Sequence, residues 1–395
     1  MGELGQSWSV PVVSYIPGYS TGGVPKPVLI FGGGYDVLKD DTAIVAGADT
    51  EGRGIFIVDA ITGALVWSVT PAANSATNLQ STGTSGLRFS IPASLTVLDS
   101  DGDELTDRIY AADTGGNVWR VDMPGSSRPT SSQTAWRITR IAALNTSSTD
   151  SHAGDRRFFN AVDVVRTRDS SGTFDALLIG SGDRENPNAT NNRDRLYMLR
   201  DRQTSPYTTA APSSSACSAG SADFRCSLPI TDSGLYDASA NLLQVGTAAQ
   251  KAAAQTALAS AKGWYVRLGE SNGEKALARS LTIGGKVYFT TFSPDTSGAG
   301  VLCEPATGTG SLYELRLTDA TAVEDFNNDG QLALADRSLT LGSLIPDTPA
   351  PHFGSDSKIR LLFPSGGGPL GRENPMNTNT RLPKPYGTYW YNQEY

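Results

Sequence analysis

The sequence predicts an all-β fold built as a modified β-propeller, and three observations carry that prediction. Gly numbers 42 and Pro 22 in 395 residues, and charged residues are 18%, below the usual quarter, a mix that suits many short strands joined by polar loops. A unit of strand, Gly/Asp-rich turn and strand recurs along the chain. An Asp-x-x-Thr-Gly turn, Asp59 to Gly63, feeds a further strand ending in Trp67, as in a propeller blade. The length exceeds one average domain but suits a single large all-β domain, expected over 1–395.

The elements follow in order. The apolar run Val28 to Phe31 precedes Gly32, Gly33 and Gly34. No Gly-Lys-Ser/Thr follows, so this is a strand-ending turn rather than a phosphate loop. The second strand of each unit is Gly54–Asp59, Asn117–Asp122, Arg195–Asp201 and Ser311–Arg316, where β-branched and aromatic residues alternate or cluster. The first strand of each is Ala43–Ala46, Arg108–Ala112, Ala176–Gly180 and Lys286–Thr291. Further strands are read at Leu95–Leu98 and Trp264–Leu268. Small sheets of this kind cannot bury both faces alone, and radial packing buries them against one another. A plain β-sandwich is the competing arrangement. The units are unevenly spaced, which places insertions of different size on the rims. One is helical, at about 247–263, where Ala248 to Lys262 is rich in helix formers and Gly263 is the expected stop. The tail, about 364–395, is rich in Gly, Pro, Asn and Tyr and should be irregular.

Composition excludes several functions. The net charge of -8, with scattered Arg, argues against a nucleic-acid partner, because phosphate neutralisation needs clustered cations. No run approaches the roughly 20 apolar residues that span a bilayer. Two His and three Cys leave little for a zinc or haem site, and His152 and His352 lack ligand spacing. Residues 1–5 contain neither a basic nor an apolar signal region, yet low charge and Ser/Thr-rich loops suit an exported protein, so an export signal is expected upstream; a cytoplasmic protein is the alternative. Cys217 and Cys226 bracket a loop of small residues and would pair in an oxidising compartment, or stand as two separate thiols. Cys303 is left over, without the nearby His a nucleophile needs.

Two loops carry the sharpest chemistry. The first places Asp99, Asp101, Asp103 and Asp107 at positions 1, 3, 5 and 9, with the Leu105 carbonyl at position 7. Such alternation points oxygens at one centre, and calcium is a hard cation that takes 6–8 of them. Without a cation the carboxylates repel, each close pair costing about 1 kcal/mol in bulk water and about 4 at an effective dielectric of 20. The loop lies between strands and departs from an EF-hand: Glu104 stands where Gly is expected, and Tyr110 occupies position 12. The second loop fits the 12-position pattern more closely, with Asp325, Asn327, Asp329, the Gln331 carbonyl and Asp336 as ligands and Gly330 at position 6. Leu332 is expected to pin it to the core. Asp in place of Glu at position 12 resembles dockerin-type loops. A solvated acidic turn and an Asx-turn before a short helix are the plainer readings of the two loops.

Several blocks resemble the C-terminal propeller of PilY/PilC-type proteins, the tip adhesins and biogenesis factors of type IV pili. They are Ile30–Asp36, Asp99 through Asp122, Leu178–Pro187, Gly263–Leu268, Ala276–Leu281 and Val287–Phe292. The most specific is the first carboxylate loop running into the segment Ala111 to Arg120. The resemblance covers about residues 5–340. It implies a modified β-propeller related in shape to quinoprotein dehydrogenases, and no catalysis. It also implies a calcium switch at Asp99, Asp101, Asp103, Leu105 and Asp107 that regulates pilus extension against retraction. The implied partners are minor pilins or the pilus tip and a host-cell surface, outside the cell. Family members carry further propeller and a variable region upstream, so an incomplete ring is expected here. A pyrroloquinoline-quinone dehydrogenase is the enzymatic alternative, weakened by the absence of an adjacent Cys pair and by a blade signature complete only once. A carbohydrate-active propeller using paired carboxylates is a third.

Overall fold

A computed structural model describes residues 2–40, 47–83, 85–129, 136–146, 154–209, 212, 215–217, 223–269, 272–295, 308–343, 345–353 and 359–362. Four twisted sheets follow one another in chain order. The first holds β1 (Val12–Ser14), β4 (Val28–Gly32), β5 (Ile55–Asp59), β6 (Leu65–Thr70) and β7 (Asn78–Gln80), with a small hairpin of β2 (Ser20–Thr21) and β3 (Val24–Pro25) beside it. The second holds β8 (Thr96–Leu98), β9 (Arg108–Ala112), β10 (Asn117–Asp122) and β11 (Arg137–Ala143). The third holds β12 (Asp163–Asp169), β13 (Gly172–Gly180), β14 (Arg195–Asp201), β15 (Tyr236–Asp237) and β16 (Gly263–Arg267). The fourth holds β17 (Lys275–Ala276), β18 (Leu281–Ile283), β19 (Lys286–Pro294), β20 (Gly308–Arg316) and β21 (Ser338–Gly342). A last hairpin pairs β22 (Ala350–Phe353) with β23 (Ile359–Leu362).

Strand alternation explains how the sheets stack. In β9, Ile109 and Ala111 join Trp67 and Val69 of the first sheet, while Tyr110 and Ala112 join Leu177 and Ile179 of the third. In β13, Leu177 and Ile179 face the second sheet, and Ala176 and Leu178 face Val287 and Phe289 of the fourth. Period-two side-chain direction thus gives each middle sheet two apolar faces. That is why β9, β10 and most of β13 read as continuous buried runs. This is the blade-on-blade packing of a propeller.

The central hairpins lie where the sequence placed them: β9–β10, β13–β14 and β19–β20 are antiparallel neighbours. In the first sheet the partner of β5 is β4; the expected strand at 43–46 lies outside the described residues, as do His152, Cys303 and the tail at 364–395. The pair that follows each central hairpin carries a register shift in three sheets, at Ile57/Val58, Val118/Trp119 and Gly310/Ser311. In the third sheet the insertion occupies the corresponding link, between β14 and β16. It contains α1 (Leu242–Val245) and α2 (Ala248–Ser260). A capping box starts α2: Gln250 N–H donates to the Thr247 hydroxyl and Thr247 N–H to the Gln250 side chain.

The expected stop at Gly263 is corrected. The helix ends at Ser260 with Ala261 as its cap, and Gly263 opens β16. Its φ is +149°, and a Cβ there would sit 2.0 Å from the Met198 carbonyl oxygen. The glycine is spent on close strand approach, not on ending a helix.

Candidate metal centre

The first carboxylate loop closes the β8–β9 hairpin, and Leu98 pairs with Arg108 across its neck. Carboxylate oxygens of Asp99, Asp101 and Asp107 lie within 4.8 Å of one another, the one such acidic group among the described residues. Asp103 stands outside that group, and its carboxylate accepts Leu105 N–H at 2.9 Å. Asp99 and Asp101 are exposed, and Asp107 is buried.

The two loops share one backbone plan. Position 4 is left-handed in each, Gly102 at φ +82° and Asn328 at +57°, and so is position 6, Glu104 at +68° and Gly330 at +80°. Glu104 therefore adopts the conformation that glycine takes without strain in the second loop. The position-1 carboxylate accepts from the position-6 N–H in both, Glu104 to Asp99 at 2.9 Å and Gly330 to Asp325 at 2.8 Å. Position 3 accepts from position 5: Asp103 N–H to Asp101 at 3.3 Å and Asp329 N–H to Asn327 at 2.9 Å. Position 5 accepts from position 7: Leu105 N–H to Asp103 at 2.9 Å and Gln331 N–H to Asp329 at 2.8 Å. The closing carboxylate accepts from position 2: Ser100 N–H to Asp107 at 3.1 Å and Phe326 N–H to Asp336 at 3.2 Å.

In the second loop Asp336 is buried and its other oxygen accepts Ala333 N–H at 2.8 Å. Asp325, Asp329 and Asp336 do not converge as the first loop's group does, among the described residues. Leu332 is 38% exposed, which corrects the expectation that it pins the loop. The buried Asp336 and Arg337 hold it instead.

Each loop ends in an Asp-Arg pair whose Arg is buried, Asp107-Arg108 and Asp336-Arg337, and sequence reasoning passed over both arginines. Their recurrence immediately after the last carboxylate was the signal. Arg108 donates to the Ser100 hydroxyl at 2.5 Å and to Asp175 of β13 at 2.6 Å, and Ser100 Oγ donates to Asp107 at 2.8 Å. Arg337 donates to the Ser239 carbonyl and to Asn241, both at 3.2 Å. Gln244 of α1 exchanges two hydrogen bonds with the backbone of Ala322. The insertion therefore grips the chain on both sides of the second loop.

Electrostatics separate the first loop's acids. Burial works to raise the Asp99 pKa, but N–H donors from Gly102, Glu104 and Asp101 outweigh it and hold the carboxyl below its usual range. Burial pushes Asp107 up, against the Ser100 hydrogen bonds and the Arg108 charge. An oxygen-only donor set on a short loop, with one buried and two exposed carboxylates, fits a hard divalent cation and not a soft one.

Stacked sheets with hairpin-borne carboxylate loops define an all-β, propeller-type domain. No family model matches the chain. It is 26% identical over 344 residues to a type IV pilus biogenesis factor PilY1 homolog of Xylella fastidiosa. That match takes in 84% of this chain and 20% of the relative, so the chain spans about a fifth of the curated relative's length. In fold it is similar to the solved C-terminal domain of Pseudomonas aeruginosa PilY1, with a TM-score of 0.58 and 17% identity, over 95% of this chain and 73% of that one. The chain is thus similar in sequence to a PilY1 homolog and in fold to a PilY1 C-terminal domain.

Proposed function

We propose that this domain is the calcium-binding propeller of a type IV pilus biogenesis factor and tip adhesin, acting outside the cell without catalysis. The likeness to a curated pilus biogenesis factor supports the pilus setting. The convergence of Asp99, Asp101 and Asp107 is the observation that carries the calcium reading. Asp103 and the Leu105 carbonyl would complete that site. Asp325, Asn327, Asp329, the Gln331 carbonyl and Asp336 would form the second on the same backbone plan. Bound calcium would supply charge that cancels carboxylate repulsion. The protein's own part is to hold the closing carboxylate still, through Ser100 and Arg108 in the first loop and Arg337 beside the second.

In this role the loops act as a switch between pilus extension and retraction, with minor pilins or the pilus tip as partners and a host surface as the attachment target. The Cys217–Cys226 disulfide suits an oxidising compartment. Among the described residues no helix is long and apolar enough to cross a membrane.

Calorimetric titration of the calcium-free protein tests the reading. Heat is expected in the sub-millimolar range of extracellular modules. One site disappears in Asp107→Ala and the other in Asp329→Ala. A silent titration of the unmutated protein overturns the proposal.

A further inference from the structure

A single chain of hydrogen bonds runs from the first loop's closing carboxylate into the third sheet. Of the three converging acids, Asp107 is the buried one. Arg108 Nε stands 4.0 Å from Asp107 Oδ1, too far for a direct hydrogen bond, and Ser100 Oγ bridges the two. It accepts from Nε at 2.5 Å and donates to Oδ1 at 2.8 Å. A hydroxyl has one proton, so these two neighbours fix its direction. The far end of the guanidinium reaches beyond the second sheet. Nη1 donates to Asp175 of β13 at 2.6 Å, 67 residues away along the chain, and to the Tyr110 hydroxyl at 3.2 Å.

Asp175 is itself held. It is buried, and Arg166 donates to its other oxygen, Oδ1, at 2.9 Å. In the β13–β14 register it lies opposite Asp201, which accepts the Tyr110 hydroxyl at 2.7 Å. Two effects on an ion in the loop follow. A ligand already held in place loses less freedom when it binds, and groups one layer behind the ligands tune metal affinity for that reason. A guanidinium so near a ligand would also repel a divalent cation, and the Asp175 charge offsets it.

We propose that Asp175 is a positioning residue for calcium in the first loop. From the third sheet it holds Arg108 and, through Ser100, keeps the Asp107 carboxylate in the orientation the ion takes. The inference rests on the calcium reading above. By linkage the coupling runs both ways, so calcium in the loop tightens the seam between the second and third sheets. Arg337, beside the second loop, is held instead by neutral groups of the insertion, the Ser239 carbonyl and Asn241. The two sites should therefore answer differently to one substitution.

The experiment is a calorimetric calcium titration of the full chain in two backgrounds. Asp329→Ala leaves the first site, and Asp107→Ala leaves the second. In the first background Asp175→Asn should weaken binding by about five-fold or more, the lower end for coupling between sites. Ser100→Ala breaks the relay without altering any charge and should weaken it likewise, and Ser100→Thr, which returns the hydroxyl, should restore it. In the second background Asp175→Asn should leave affinity unchanged. If Asp175→Asn fails to fold, the two Ser100 variants decide. Undiminished first-site affinity in the folded variant, or an equal loss at both sites, overturns the proposal and leaves the calcium reading standing. A chain that takes up no calcium in the Asp329→Ala background overturns the reading of the first loop and this inference with it.

Discussion

Asp113 shows how much a single side chain organises here. It is fully buried and accepts from Gly115 N–H and Asn117 N–H at 2.9 Å, from the Asn117 amide at 3.0 Å and from Trp119 Nε1 at 2.7 Å. The Asp-Thr-Gly-Gly-Asn-Val-Trp run from Asp113 to Trp119 is a carboxylate wrapped by its own turn. Burial nonetheless pushes its pKa to about 6 from 3.8, the donors offsetting only part of the cost. The native state therefore holds this proton more tightly than the unfolded chain does. Its contribution to stability is full below pH 3.8 and is lost as pH rises through about 6. The carboxyl carbon resonance of Asp113 should titrate with a midpoint near 6, and a midpoint below 4 would contradict the burial argument. The motif was visible in the sequence as a specific block; its reason, a buried acceptor with four donors, was not, because burial is a property of the packed sheets.

At the level of elements, strand identity was the most legible feature. Asn117–Asp122 and Arg195–Asp201 coincide with β10 and β14 because β-branched and aromatic residues sit at period two between turn residues. Gly263 was misread because a glycine after a helical run has two uses, ending the helix or allowing strands to touch, and only the register decides. In the structure Gly263 lies opposite Leu199, with the Met198 carbonyl against it. Gly263→Ala should therefore destabilise the protein by roughly 3 kcal/mol through backbone strain and displaced strands. Chemical denaturation measures it, and a change within about 0.5 kcal/mol, the range of an ordinary surface substitution, would show that the strand gap is not needed. The register shifts after the central hairpins left no trace in composition, since a bulge needs only one extra residue and no special side chain.

Across the whole molecule, the second and third sheets are joined by a polar network as well as an apolar core. Asp201 of β14 accepts from Tyr110 at 2.7 Å and from Arg120 at 2.8 Å, both on the second sheet, and Arg120 also holds Asp122 at 2.6 Å. All four groups are buried. Asp201→Ala should cost about 3–5 kcal/mol, because it strips a buried guanidinium of one of its counter-charges. Equilibrium unfolding tests this, and a loss under about 1 kcal/mol would assign the interface to its apolar contacts alone. Such links were out of reach of sequence reading, since their partners lie 81 and 91 residues apart. The carboxylate loops were legible as runs of acidic residues because those residues are local, while the arginines that brace them answer to distant sheets. The helical insertion ties the same scales together. Its sequence, an alanine-rich stretch on a rim, looks expendable, yet Gln244, Asn241 and the Ser239 carbonyl hold the chain at Ala322 and Arg337, on either side of the second loop. Trimming it to a short turn would be no neutral economy: it would slacken one carboxylate loop and spare the other, handing the engineer a dial for the pair's unequal sensitivity.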